Sequence, residues 1–214
     1  MASVLLAACG ATSVRPAVGA ESALVHSASP RATPASGATI MIHVAPVGTH
    51  GRLTTGFTVS QTVRGMCDSG SDVVRGRLYR CFIDNEVADP CWGVAAQKGA
   101  VVDALCLPDP WLTAVTQVVT AGLPKATGAI SPDSDVPWAV ELTIGVRCIA
   151  LQGGRAGYRG GLLNFVCGDG LELVGSPDRN EPLWTYQTAR LEGAQYVSGP
   201  TVGVGVAWFA GMGG

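Results

Sequence analysis

Cys91-Trp92-Gly93-Val94-Ala95-Ala96-Gln97-Lys98-Gly99-Ala100-Val101-Val102-Asp103-Ala104-Leu105-Cys106 consists of two apolar arms around the polar tip Gln97-Lys98-Gly99. Such arms joined by a short glycine-containing loop predict a β-hairpin. If Ala96 faces Ala100 or Val101, residue numbers across the hairpin sum to 196 or 197, and Cys91 and Cys106 sum to 197. The two cysteines then stand nearly opposite each other, within disulfide reach. A second hairpin repeats the arithmetic. Residues 146–151 and 162–167 flank a Gly- and Arg-rich loop centred near residue 157, so Leu151 faces Asn164 and Cys148 faces Cys167. Two hairpins, each with a cystine between its arms, predict an antiparallel β-domain held by disulfides.

The remaining chain extends this pattern. Residues 39–46, 55–63 and 78–83 are β-branched or alternating runs that predict strands. The last leads into Asp89-Pro90-Cys91, read as a turn. Residues 138–144 and 146–151 predict one long strand or a bent pair around Gly145. Gly168-Asp169-Gly170 turns the chain into a strand over 171–174, and residues 184–190 and 201–209 supply the last strands. One segment breaks the period. Asp109 is a good helix N-cap and Pro110 suits the first helical position. Trp111, Leu112, Val115, Val118 and Val119 then fall on one helical face, and Gly122 ends the run. The spacing predicts a helix over 110–121, followed by a polar loop over 124–136. The expected fold is mainly β (or α+β), with eight to nine short antiparallel strands, one short helix and three disulfides.

Composition bounds the function. Apolar residues make up 47% of the 214, enough for a real core, and charged residues only 14%, against about 25% in a typical soluble domain. A charge-driven disordered chain is excluded. A net charge of −2 carries no basic footprint for nucleic acid. No run of 18 apolar residues is present, so no segment has the length and apolarity of a transmembrane helix.

Residues 1–38 differ from the rest. They are rich in Ala, Ser, Pro, Thr and Gly without a regular apolar period, the composition of a flexible tether. Leu6-Ala7-Ala8-Cys9 resembles the lipobox of bacterial lipoproteins, in which the Cys thiol takes a lipid. Only eight residues precede Cys9, so the reading expects a start codon further upstream. Cysteine arithmetic agrees with the lipobox. Seven cysteines are an odd number; assigning Cys9 to lipid leaves Cys67, Cys81, Cys91, Cys106, Cys148 and Cys167. There is no C-x-x-C, and His26, His43 and His50 are the only histidines, so no metal and no cofactor is expected. Six spaced cysteines without a metal pattern indicate disulfides and an oxidising compartment. With two pairs set by hairpin register, Cys67–Cys81 follows by elimination. The expected organisation is a tether over 1–38 and a single domain over 39–214.

The ordered series Tyr79-Arg80-Cys81, Asp89-Pro90-Cys91, Cys106, Asp109-Pro110-Trp111, Pro137-Trp138-Ala139-Val140-Glu141-Leu142, Cys148, Cys167, Pro177-Asp178-Arg179 and Trp184 resembles a group of uncharacterised extracytoplasmic proteins and lipoproteins of actinobacteria. The resemblance spans about residues 64–190. It implies an envelope location, paired cysteines and a common β-rich fold, and carries over no catalytic residue.

Four constellations could carry chemistry. Cys67-Asp68-Ser69-Gly70 looks like the serine box of trypsin-like proteases, but His50 lies too close upstream for a double-barrel protease. His50-Gly51 and Gly65-Met66-Cys67 loosely resemble the L,D-transpeptidase motif. The second histidine of that motif is absent, and an active thiolate needs a neighbouring His or cation. The loop over 153–161, with Arg155, Tyr158 and Arg159 among its glycines, could cradle an anion or acidic glycan, or be no more than a hairpin loop. Trp92, Trp111, Trp138, Trp184 and Trp208 could line a glycan platform, but their apolar settings favour the core. The sequence therefore describes a lipid-anchored or secreted extracytoplasmic β-domain, most simply a module that binds an envelope protein or glycan. The alternative is a cell-wall-acting enzyme using Cys67 and His50. Neither nucleic acid nor an identified catalytic residue enters this picture.

Overall fold

The computed structural model describes residues 37–48, 50–71, 78–94, 102–124 and 136–211. The lipobox, Cys9, nearly all of the tether, the Gln97-Lys98-Gly99 tip and most of the 124–136 loop lie outside them. Residues 32–214 cluster as one compact unit.

The class is mainly β, as expected, with fourteen strands among the described residues where eight or nine were expected. They are β1 (Ile40–Val44), β2 (Thr58–Arg64), β3 (Met66–Ser69), β4 (Leu78–Ile83), β5 (Glu86–Gly93), β6 (Val102–Cys106), β7 (Ala114–Thr120), β8 (Ala139–Leu142), β9 (Arg147–Ala150), β10 (Gly157–Tyr158), β11 (Gly161–Cys167), β12 (Leu171–Asp178), β13 (Thr185–Glu192) and β14 (Gln195–Ala210).

Two sheets form, and both roll up. In the larger, β8, β9, β11, β12, β13 and β14 neighbour one another in chain order, all antiparallel. The sixteen-residue β14 then pairs with β8 through Val204↔Leu142 to Trp208↔Ala139 and closes a six-stranded up-and-down ring. β1 lies parallel along the same end of β14. In the smaller sheet the order is β2-β7-β6-β5-β4-β3, with β2 parallel to β7. Only Gly65 separates β2 from β3, so one residue joins the two ends of that path. A Cβ on Gly65 would stand 2.7 Å from the Phe82 carbonyl oxygen and 2.8 Å from Val118 Cγ1. The close approach needs a residue without a side chain.

Strand alternation divides the smaller sheet between two cores. Cys67, Cys81, Cys91, Ala104, Cys106 and Val118 fill the inside of the roll. Leu78, Trp92, Leu105 and Val115 point the other way and join Trp138, Phe165, Leu173, Val204 and Trp208 of the larger sheet in one apolar cluster. At that junction the Trp92 ring meets Trp138 edge-on, with centroids 5.7 Å apart, and Trp92 Nε1 donates to the Gly211 carbonyl at 2.8 Å.

This division explains the main correction. Residues 110–121 are not a helix: Asp109-Pro110-Trp111 is a turn, and β7 follows it. The Asp109 carboxylate does accept from a backbone N–H two residues on, that of Trp111 at 2.8 Å, but as the start of an Asx-turn and not as a helix cap. Val115 and Val118 are fully buried at a helical spacing because they face opposite cores. β-branched Val115, Thr116, Val118, Val119 and Thr120 favour the strand. Two further readings change. Asp89-Pro90-Cys91 lies within β5, at a register shift opposite Tyr79 and Cys81, one of the places where a sheet tolerates proline. The chain reverses instead at Asp84 and Asn85. Residues 138–151 are neither one strand nor a bent pair but a tight hairpin of β8 and β9, turning at Gly145 with φ +80°.

Candidate functional site

All six domain cysteines are paired: Cys67–Cys81 between β3 and β4, Cys91–Cys106 between β5 and β6, and Cys148–Cys167 between β9 and β11. Each pair occupies directly opposed register positions. The first two bonds are stacked inside the smaller roll, where the sulfurs of Cys81, Cys91 and Cys106 all lie within 4.8 Å of one another. Their side chains are completely buried, while Cys67 is 6% exposed. Cystine sulfur, Ala88, Ala104 and Val118 thus fill the inside of the roll.

The same bonds bear on the enzyme alternative. The Cys67 sulfur is covalently engaged and is no nucleophile in the oxidised protein. His50 is exposed in the tight turn closed by the Gly51 N–H donating to the Gly48 carbonyl. In the serine-box segment, Arg80 Nη2 donates to Asp68 Oδ2 at 2.8 Å, and Ser71 Oγ donates to the buried Asp89 carboxylate. These polar groups hold β3, β4 and β5 together.

The Arg/Tyr loop is ordered by contacts within the protein. β10 folds back on β11 through Gly157↔Leu162 and Tyr158↔Gly161. Arg155 donates to Asn164 Oδ1 at 3.3 Å, and Asn164 Nδ2 donates to the Gly175 carbonyl at 2.7 Å. The Tyr158 hydroxyl shares a 2.9 Å hydrogen bond with Ser198 Oγ, and its ring meets Tyr196 edge-on at 6.0 Å. Arg159 lies over the Tyr158 ring at 5.5 Å. The loop therefore pins the β10–β11 hairpin to β14, and its arginines do not converge on one point.

Three of the tryptophans, Trp92, Trp138 and Trp208, are buried in the shared core. Trp111 and Trp184 are partly buried at its edge, each under a guanidinium: Arg147 at 4.8 Å and Arg179 at 4.2 Å. They form no exposed row.

A concavity that the sequence did not single out lies at one end of the six-stranded ring, where the β8–β9, β11–β12 and β13–β14 turns meet. Its volume is about 280 Å³. Ile144, Val146, Leu171, Val197 and Val202 give it an apolar lining, and Asp169, Arg190 and Glu192 carry its charges. The only signal in the sequence was Gly168-Asp169-Gly170, read as a turn. Asp169 indeed adopts φ +62°.

Deeper in the same ring, Tyr186 is 1% exposed and its hydroxyl has no hydrogen-bond partner among the described residues. Burial pushes its pKa well above the ordinary phenol value, and the Arg179 charge offsets part of that rise.

No protein-family model matches the chain, and no curated protein and no solved structure is significantly similar to it.

Proposed function

We propose that the chain is a cell-envelope lipoprotein of the actinobacterial group it resembles, carried on an Ala/Ser/Pro-rich tether and tied to the membrane by lipid on Cys9. Its β-domain acts as a binding module. The observation that carries this reading is the cysteine account: the three disulfides use every cysteine of the domain, and the one left over is the cysteine of the lipobox-like Leu6-Ala7-Ala8-Cys9. Three disulfides suit an oxidising, extracytoplasmic location. Binding is favoured over catalysis because the one nameable nucleophile, Cys67, is consumed by a structural bond.

The test is expression of the full-length gene product in an actinobacterial host, followed by fractionation and mass spectrometry of the Cys9 peptide. A thioether-linked diacylglycerol places two chains on one residue, enough for stable anchoring. Cys9→Ser should move the protein from the membrane fraction to the soluble one. An unmodified Cys9 in membrane-bound protein would overturn the lipoprotein reading.

A further inference from the structure

We propose that the concavity at the end of the six-stranded ring binds a small zwitterion bearing an aliphatic group, of which a free apolar amino acid is the simplest example. The proposal deepens the binding-module reading and rests on it, but is independent of the lipid anchor.

Three features of the concavity point there. The first is its apolar lining. Ile144 is 62% exposed and Val197 37% exposed, yet both converge with Val146, Leu171 and Val202 on one recess. Scattered exposed apolar residues need no explanation, but apolar groups gathered in a concavity mark a place where a ligand removes them from water. The second is charge. On β13, Tyr186 and Thr188 point into the ring and are buried, and Arg190 is the next residue on that face, paired in register with Leu171 and Val197. Glu192 follows Arg190 on the same face of β13, and Asp169 of the β11–β12 turn lines the same recess. None of these three side chains makes a hydrogen bond or ion pair among the described residues. Asp169 also holds its carboxylate at a left-handed backbone position, φ +62°, where glycine would be less strained. The third is size. A volume of about 280 Å³ lies just below the range of about 300–1,000 Å³ that holds drug-sized ligands.

These features select the ligand together. An anion alone meets Arg190 but is repelled by two carboxylates. A cation alone satisfies the carboxylates and leaves Arg190 facing a like charge. A neutral apolar molecule covers all three charges without pairing them, which costs free energy. A zwitterion answers both signs: its carboxylate takes the guanidinium fork, its ammonium takes Asp169 and Glu192, and its aliphatic group covers the apolar lining.

The test titrates the purified, fully oxidised chain with L-leucine, isoamylamine and 4-methylpentanoic acid, following backbone amide resonances and heat. The two analogues keep the branched aliphatic end and carry one charge each. Leucine should bind at a 1:1 ratio and shift resonances of Asp169, Arg190 and Val197. Each analogue should bind on the order of tenfold more weakly, the loss of one charge-assisted contact. Arg190→Gln should weaken leucine toward the level of isoamylamine and should strengthen isoamylamine, which no longer faces a like charge. Asp169→Asn with Glu192→Gln should do the same relative to the acid. Val197→Trp, which fills the recess from an exposed position, should abolish leucine binding without changing the unfolding midpoint. Equal binding of leucine and either analogue, or leucine binding that survives Val197→Trp, overturns the proposal. So does the absence of leucine binding, and that result leaves the mass-spectrometric test of Cys9 untouched.

Discussion

Removing Cys91–Cys106 tests how the smaller roll is held together. In the double variant Cys91→Ala, Cys106→Ala the first loss is loop closure. The bond spans 15 residues, and the chain-entropy model assigns a loop of that size about 3 kcal/mol. The second loss is packing. Both side chains are completely buried, and deleting two sulfurs, each comparable to a methylene at about 0.8 kcal/mol, adds roughly 1.5 kcal/mol. The expected destabilisation is about 4–5 kcal/mol, a large share of the 5–15 kcal/mol by which domains are stable. Urea unfolding followed by tryptophan fluorescence measures it; a loss below about 2 kcal/mol would refute this account of the bond. The single variants test the stacking. In Cys106→Ala the Cys91 thiolate is left within 4.8 Å of Cys81 Sγ, on the adjacent strand. Its attack forms Cys81–Cys91 and releases Cys67 as the leaving thiolate, so maleimide should label Cys67, the most exposed of the four. In Cys91→Ala the remaining Cys106 thiolate is likewise within 4.8 Å of Cys81 Sγ, so its attack forms Cys81–Cys106 and again releases Cys67. Labelling at Cys67 is expected in both single variants; no labelling in either would show that the two bonds do not communicate.

Two further outcomes follow from particular atoms. Tyr186→Phe removes a buried hydroxyl that has no hydrogen-bond partner among the described residues, so it should leave stability unchanged or raise it, despite the 1% exposure of the side chain. It should also change the alkaline limb: above pH about 10 the unfolded phenol ionises while the buried one stays protonated. The wild type therefore loses about 1.4 kcal/mol per pH unit through this group, and the variant should lack that component in denaturant titrations between pH 9 and 11, a range chosen about the ordinary phenol value of about 10. Gly65→Ala drives a methyl against the Phe82 carbonyl and Val118 and should cost about 1–3 kcal/mol by overpacking; an unchanged unfolding midpoint would show that β2 and β3 separate freely.

The cystines were legible because each closes a local hairpin or its near equivalent. Within one hairpin, register follows from the turn, so the facing of Cys91 with Cys106 and of Cys148 with Cys167 could be read from residue numbers alone. β7 was not legible for a reason that lies outside its own residues. An i, i+3 apolar repeat signals a helix only if a single face is buried. Val115 and Val118 are each buried, but against different cores, and nothing within residues 110–121 tells of the second core. Likewise Asp89-Pro90 carries the composition of a turn, and only the bulge opposite Tyr79 and Cys81 lets it remain in a strand.

The recess at the ring end belongs to the same kind of problem at longer range. Ile144 sits in the β8–β9 turn, Asp169 in the β11–β12 turn and Arg190 near the end of β13; each is unremarkable in its own segment. They share a recess only because β14 crosses more than 60 positions of sequence to pair Val204 with Leu142 and Trp208 with Ala139. That closure brings the three turns to one end and turns an inward-pointing strand position, Arg190, into a charge at a mouth. Local pattern reading recovers strands, hairpins and their cystines; the recess is a property of the closed ring. Weakening the β8–β14 pairing should therefore loosen the recess while leaving the local Cys148–Cys167 hairpin paired, since that hairpin owes its register to β9 and β11 alone.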